Sequence, residues 1–194
     1  MKLAGLKVGF ALTGSFCTFE RVFPQIERLS ALGAEIIPIV SREVAGTDTR
    51  FGTATDWIEQ LRELTGKLPL AQQIEVEPLG PKKILDILVV APCTGNTIAK
   101  LANGISDGTV PLAVKAHLRN ARPVVLAVST NDGLAANAKN IGLLLNTKGI
   151  YMVPFGQDAP EEKQASLVAQ MELIPETVVM ALAGKQIQPV IIGY

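Results

Sequence analysis

Residues 84–108 read ILDILVVAPCTGNTIAKLANGISDG. An apolar run, ILDILVVA (84–91), passes into Pro92, Cys93, Thr94, Gly95, Asn96 and Thr97, and a helical pattern begins at once. A run this continuous suits a strand buried on both faces. A turn that only redirects the chain needs one or two small polar residues. Five together, at a strand's end and a helix's start, suggest a seat for a ligand.

The same unit recurs on both sides. Upstream, LKVGFAL (6–12) reads as a first strand, followed by TGSFCT and a helix over about 18–32. Phe19, Val22, Phe23, Ile26 and Leu29 fall at helical spacing there, Pro24 is a possible kink, and Gly33 suits the helix end. AEIIPIV (34–40) is a second strand ending at Ser41. REVAGTDTRFGTA (42–54) reads as a mobile loop, and a short helix spans about 55–65. LPLAQQIEVEPLGPKK (68–83), with three prolines, reads as irregular with one short strand. Downstream, helices are expected at about 95–103, 108–119, 133–147 and 161–183, with strands ARPVVLAV (121–128) and IYMVPF (150–155). The expected fold is α/β: a single Rossmann-like, doubly wound parallel sheet of five or six strands, one domain over 1–194. In such sheets ligands bind at the strands' carboxyl ends, where strand order reverses. The turns TGSFCT, APCTGNT and VSTNDG should therefore line one crevice, and these are where Gly, Ser, Thr and Asn concentrate.

Composition narrows the function classes. Eighteen basic residues balance 18 acidic ones without a Lys/Arg cluster, which argues against nucleic acid or an anionic membrane as the main partner. The longest apolar runs fall well short of the ~20 residues of a membrane span. The start, MKLAGLKVGFALTG, reads as a buried strand rather than a secretion signal. Two cysteines make no disulfide framework, so a cytoplasmic protein is expected. One histidine, His117, nearly excludes metal clusters and Ser-His-Asp triads, and a structural or surface role suits it. The chain has neither the G-x-G-x-x-G fingerprint nor a Walker loop. A helix start offers unpaired N–H groups to an anion, so Gly14, Ser15 and Thr18 suit a phosphate; the plainer reading makes Ser15 and Thr18 helix caps.

Residues 92–107 match the pattern P-x-[ST]-x-N-T-[IM]-A-K-[IL]-A-x-G-I-x-[DN]. Here the chain resembles the flavoprotein family that includes flavin-dependent cysteine decarboxylases and flavin prenyltransferases. The likeness continues through RPVVLAV, the Asn/Gly-rich turn after it and the strand before PFG. It implies a Rossmann-like sheet binding FMN at a subunit interface, in a homo-oligomer built from trimers. Carried over by position, it places the flavin on Gly14, Ser15, Phe16, Ser41, Thr94, Gly95, Asn96 and Thr97, with Ser129 and Thr130 in the third turn. Asn96 is the one candidate for a catalytic role, and no metal is implied.

The departures bear on the chemistry. Decarboxylases of the family carry a His before the third main strand, where this chain has Pro78. Their P-x-M-N-x-x-M-W motif is replaced by VSTNDGLAAN, and the Arg-Glu-Thr of the prenyltransferases by Ser129, Thr130 and Asn131. The stretches LAGLKVGFALTGSFCTF and STNDGLAANAKNIGLLLNTKGIYMVPFGQD resemble a branch of the family whose members act as one of two subunits. That likeness implies oxidation of a dihydro- or hydroxytetrahydro-dipicolinate, a dicarboxylate, to dipicolinate in the mother cell of a sporulating bacterium. It also implies a partner A subunit carrying NADP. Two other readings stay open: a scaffold that has lost its flavin, and a decarboxylase-like flavin enzyme. Cys17 and Cys93 are reactive thiols or small fillers, Trp57 is core or interface, and Arg42 and Arg50 are a dicarboxylate clamp or solvated loop residues.

Overall fold

A computed structural model describes residues 3–193. Among them a seven-stranded sheet forms, with β1 (Lys7–Leu12), β2 (Glu35–Val40), β3 (Ile87–Cys93), β4 (Val124–Thr130), β5 (Ile150–Met152), β6 (Phe155–Gly156) and β7 (Leu167–Ala169). The path runs β2-β1-β3-β4-β7-β6, with β5 also on β4. β3 is buried along its whole length, as its continuous apolar sequence requires. The chain winds outward from β1 to β2 in one direction and from β3 to β4 in the other. The two crossovers therefore cover opposite faces: α1 (Phe19–Ala31) and α8 (Ile174–Leu182) on one, α6 (Thr109–Leu118) and α7 (Ala138–Leu145) on the other. α5 (Gly95–Ala102) follows β3 directly.

β4 divides its outer edge between two partners. Val124–Leu126 pair in parallel with Ile150–Met152, whereas Ser129 and Thr130 pair antiparallel with Val168 and Leu167. The sheet is thus mostly parallel, with an antiparallel addition at the carboxyl end of β4. The expected doubly wound parallel sheet gains an antiparallel edge, which takes the place of half of the long helix expected over 161–183. Leu167–Ala169 are buried as a strand, and α8 starts only at Ile174, with Pro175 in its first turn. Three apolar residues in a row satisfy strand and helix patterns alike, and sheet pairing decides between them.

Other boundaries shift for local reasons. The expected loop 42–54 contains α2 (Arg42–Gly46), whose N-cap Ser41 accepts from Val44 N at 3.4 Å, and a tight turn joining Thr49 and Gly52. The stretch 68–83 makes no strand beyond a bridge from Leu70 to Ile39. It forms α4 (Gln73–Val76) because the Glu75 carboxylate accepts from the Ala71 and Gln72 amides, each at 2.8 Å. β3 begins at Ile87, after Asp86 has accepted from Lys7 N at 2.8 Å, and runs through Pro92 rather than ending before it. The strand expected over 150–155 splits into β5 and β6, and the helix expected from 133 starts at Ala138. α1 continues through Pro24. Trp57, on α3 (Ala54–Thr65), is partly buried and packs against the core residues Phe19 and Phe23 with ring centroids 5.1 and 5.9 Å away.

His117 lies on the inner side of α6 and is 4% exposed. Burial, and then the charge of Arg122, push its pKa down to about 4, against weaker opposition from the Pro123 carbonyl and Asp86. The unfolded chain takes up this proton near pH 6.5, the fold only near 4, so stability is complete above 6.5 and falls as pH drops between those values. The loss amounts to about 3 kcal/mol across that window. His117→Phe, which also removes an imidazole Nε2 that has no hydrogen-bond partner, should flatten the Tm-versus-pH curve between pH 6.5 and 4.5. Identical acid sensitivity in both proteins would refute the assignment.

Candidate functional site

The three polar turns meet where β1 and β3 diverge, and they are tied to one another. Thr13, at the end of β1, is buried; its hydroxyl donates to Pro92 O at 2.7 Å and accepts from Thr94 N at 3.1 Å. Ser15 and Ser129 share a hydrogen bond of 2.7 Å between their hydroxyls, joining the first turn to the third. Neither Ser15 nor Thr18 caps a helix through its side chain, because Thr18 donates instead to Ser15 O at 2.8 Å. The capping explanation for these two residues therefore fails. Thr94 does cap α5: its hydroxyl accepts from Thr97 N at 3.3 Å and lies 3.0 Å from the Thr97 hydroxyl.

The third turn holds residues that the sequence reading passed over. Thr130 donates its hydroxyl to the Asp132 carboxylate, and the Asn137 amide donates to both Asp132 oxygens at 2.9 Å. Asn140 then donates to Asn137 Oδ1 at 2.9 Å. The Thr130 hydroxyl, then the Asn137 amide, hold the Asp132 carboxyl below its ordinary range, so it is ionised at neutral pH. Gly95 packs on this network. A methyl group at its Cα would stand 2.5 Å from Thr130 Oγ1, 2.7 Å from Asn137 Nδ2 and 2.8 Å from Asp132 Oδ1.

Two clefts flank the start of α5. One, of about 430 Å³, is lined by Ser15, Thr94, Gly95, Ser129 and Thr130 together with Cys17, Arg21, Asp158, Lys163 and Ser166. The other, of about 210 Å³, is lined by Ser41, Asn96 and Thr97 with Arg42, Lys100 and Asp107. The expected site residues are thus shared between neighbouring clefts. Gly14 lies beside Phe16 and Glu43, and the Phe16 ring packs 5.2 Å from Phe19, so neither lines these clefts. Asn96 is exposed in the first turn of α5. Arg42 borders the smaller cleft, whereas Arg50 lies over the Phe51 ring at 4.8 Å. Cys93 is fully buried, and desolvation raises its pKa, which makes it an inert filler; Cys17 is exposed at the larger cleft. Pro78 sits away from both, in a 3-10 turn (Glu77–Leu79) against α6.

Ser166 is missed as well, and it is 1% exposed. The residue lines the larger cleft, and its buried hydroxyl has no hydrogen-bond partner among the described residues. An unpaired buried hydroxyl costs about 1–3 kcal/mol, so its presence in a cleft wall points to a ligand group that completes it. Read as part of a helix, the sequence around it carried no sign of this. A different signal was available for Asp132 and Asn137, the Asn-Asp-Gly turn (131–133) that follows a strand.

The matching family model is "Flavoprotein", over residues 1–182. The chain belongs to the flavoprotein family. A relative in Bacillus subtilis (strain 168), the B subunit of dipicolinate synthase, is 49% identical over 190 residues, covering 98% of this chain and 95% of the relative. The crystal structure of the dipicolinate synthase B subunit from Bacillus halodurans C superposes with a TM-score of 0.92 at 49% identity, covering 100% of this chain and 99% of that one. The FMN-dependent cysteine decarboxylase SpaF shares the fold at a TM-score of 0.68 and 20% identity, covering 93% of this chain and 99% of that one. Among the described residues no helix of this flavoprotein-family chain is long and apolar enough to cross a membrane. No cluster of three or more His, Cys, Asp or Glu is placed there to hold a metal.

Gly95→Ala tests the packing of the second turn on the third. Crowding at 2.5–2.8 Å against a fixed polar network should lower stability by about 1–3 kcal/mol. Gly142→Ala, on α7 with nothing within 4 Å, should instead stabilise by about 0.5–1 kcal/mol. Equal Tm values for the two variants would show that the close approach has no energetic weight.

Proposed function

We propose that this chain is a flavin-binding subunit of a dipicolinate synthase, acting with an A subunit that carries NADP. The observation that carries the reading is the hydroxyl-lined cleft at the switch point of the sheet, in a chain of this family. Its volume lies within the ~300–1,000 Å³ common for small-molecule sites. The donor set fits an FMN: Ser15, Ser129 and Thr130 offer hydroxyls, and the first turn of α5 lines both clefts. Ser15, Ser41, Thr94, Gly95, Asn96, Thr97, Ser129 and Thr130 are the residues assigned to hold it, whereas Gly14 and Phe16 stand outside both clefts.

A bound flavin supplies an acceptor for two electrons, which aromatising a dihydropyridine requires. Dihydrodipicolinate gives up two electrons and two protons to become dipicolinate; a hydroxytetrahydro precursor first loses one water. The protein's share is to hold the substrate in place and to exclude water with the walls that Ser129 and β7 provide. Asn96, exposed at the edge of the smaller cleft, has the donors and acceptor to orient a substrate. A scaffold that supports the A subunit without flavin is the second reading, favoured by Pro78 in place of the decarboxylases' His. We assign the chain to the cytoplasm of a sporulating cell, in a homo-oligomer built from trimers. A monomeric mass by light scattering at micromolar concentration would exclude that assembly.

Dipicolinate formation should be measured with the A subunit alone, this chain alone and both, each with and without FMN. Formation only with both chains and FMN is expected. Full activity from both chains without flavin would leave the scaffold reading. Asn96→Asp separates function from folding. Thr94, not Asn96, caps α5, and an acidic residue in a first helical turn is favoured, so Tm should hold. A carboxylate there removes donors and repels an anionic substrate, a mismatch of about 1–3 kcal/mol, so activity or FMN affinity should fall accordingly. Unchanged activity and affinity would remove Asn96 from the site.

A further inference from the structure

We infer that Ser166 and Lys163, on the segment leading into β7, form the seat for a substrate carboxylate in the larger cleft, an assignment that rests on the dicarboxylate reading above. Ser166 is part of the cleft wall, and its hydroxyl is buried and unpartnered. Its backbone is firmly placed: Ser166 N donates to Lys163 O at 2.9 Å, and Leu134 N donates to Ala165 O at 2.9 Å. A hydroxyl held this way donates to an acceptor that arrives with the ligand.

The cations around it differ in commitment. Arg21 grips Glu172 through Nε and Nη2 at 3.1 and 2.9 Å. Lys163 touches Asp158 only at 3.6 Å, with 53% of its side chain exposed. A loose exposed pair of this kind is worth little, so the ammonium exchanges readily to a ligand anion. Asp158 lines the same cleft and opposes an incoming carboxylate. The seat therefore consists of one fixed donor, one movable cation and one competing anion. An isolated carboxylate is satisfied by the first two.

Each residue carries a different sign in a titration of the full chain with dipicolinate, followed calorimetrically with and without FMN. Ser166→Ala and Lys163→Gln should each weaken binding, by roughly tenfold for the lost donor. Asp158→Asn should tighten it roughly twofold or more. Lys163 and Asp158 are rim residues, so these variants stay informative should Ser166→Ala fail to fold. Wild-type affinity in Ser166→Ala or Lys163→Gln, weaker binding in Asp158→Asn, or no dipicolinate binding by the wild type would overturn the assignment. Equal competition by inorganic phosphate would also overturn it, since the seat would then belong to a phosphate. FMN titration of the same variants separates the two proposals. Loss of carboxylate binding with FMN affinity kept supports the seat, and a chain that binds dipicolinate but never FMN refutes only the flavin.

Discussion

One buried hydroxyl holds the site end of this molecule together. The carbonyl of Pro92 lies in an interruption of the β3–β4 ladder between Val90 and Cys93, where sheet pairing does not reach it. Thr13 donates to that carbonyl at 2.7 Å and accepts from the Thr94 amide at 3.1 Å. Both backbone groups lie where water does not readily reach, and unpaired they would cost about 1–3 kcal/mol each. A single side chain from β1 satisfies both. It thereby fixes where β3 ends, and Thr94, one residue later, fixes where α5 begins. No methyl or amide side chain both donates and accepts from one atom in this way.

From that anchor the remaining turns follow by contact rather than by backbone pairing. α5 begins at Gly95, and only a residue without a Cβ allows Thr130, Asp132 and Asn137 to stand so close. Asp132 is ionised and accepts three hydrogen bonds, so the third turn is a charged knot rather than a flexible link. Ser15 and Ser129 close the circuit back to β1. The cleft is consequently lined by donors whose positions are set before any ligand arrives, and a ligand bound there spends little binding energy on ordering them.

Much of this was legible in the sequence, and the limits have physical causes. The strands β1 to β4 are continuous apolar runs, and α5 opens on a Thr-Gly-Asn-Thr start, so the doubly wound frame and the three turns could be placed. Thr94 and Ser41 were assigned to a ligand, yet their hydroxyls accept from backbone amides three residues on, which sequence alone cannot separate from ligand contact. Leu167–Ala169 looked helical because three residues are too few to show a period of two, and their strand character comes from β4. Ser166 was invisible for a related reason. A hydroxyl is left without a partner by the arrangement of its neighbours, and no local pattern encodes that.

The divided edge of β4 explains why the larger cleft has chemistry on two sides. A parallel β5 accompanies β4 only through Leu126 and leaves the last residues of the strand without a partner on that edge. Antiparallel β7 fills the vacancy at Ser129 and Thr130, and Gly133 lets it come close, since a Cβ there would stand 2.7 Å from the Leu167 side chain. A strand running that way must be reached from the carboxyl end of the sheet. The connecting segment 157–166, QDAPEEKQAS, is therefore obliged to cross the mouth of the cleft. Being mostly polar, it buries little of its own surface and brings Asp158, Lys163 and Ser166 to the cleft. The parallel strands set the donors at the floor, and the antiparallel pair supplies the wall. Substitutions in the wall can thus alter which anion is accepted without disturbing the knot that holds the floor.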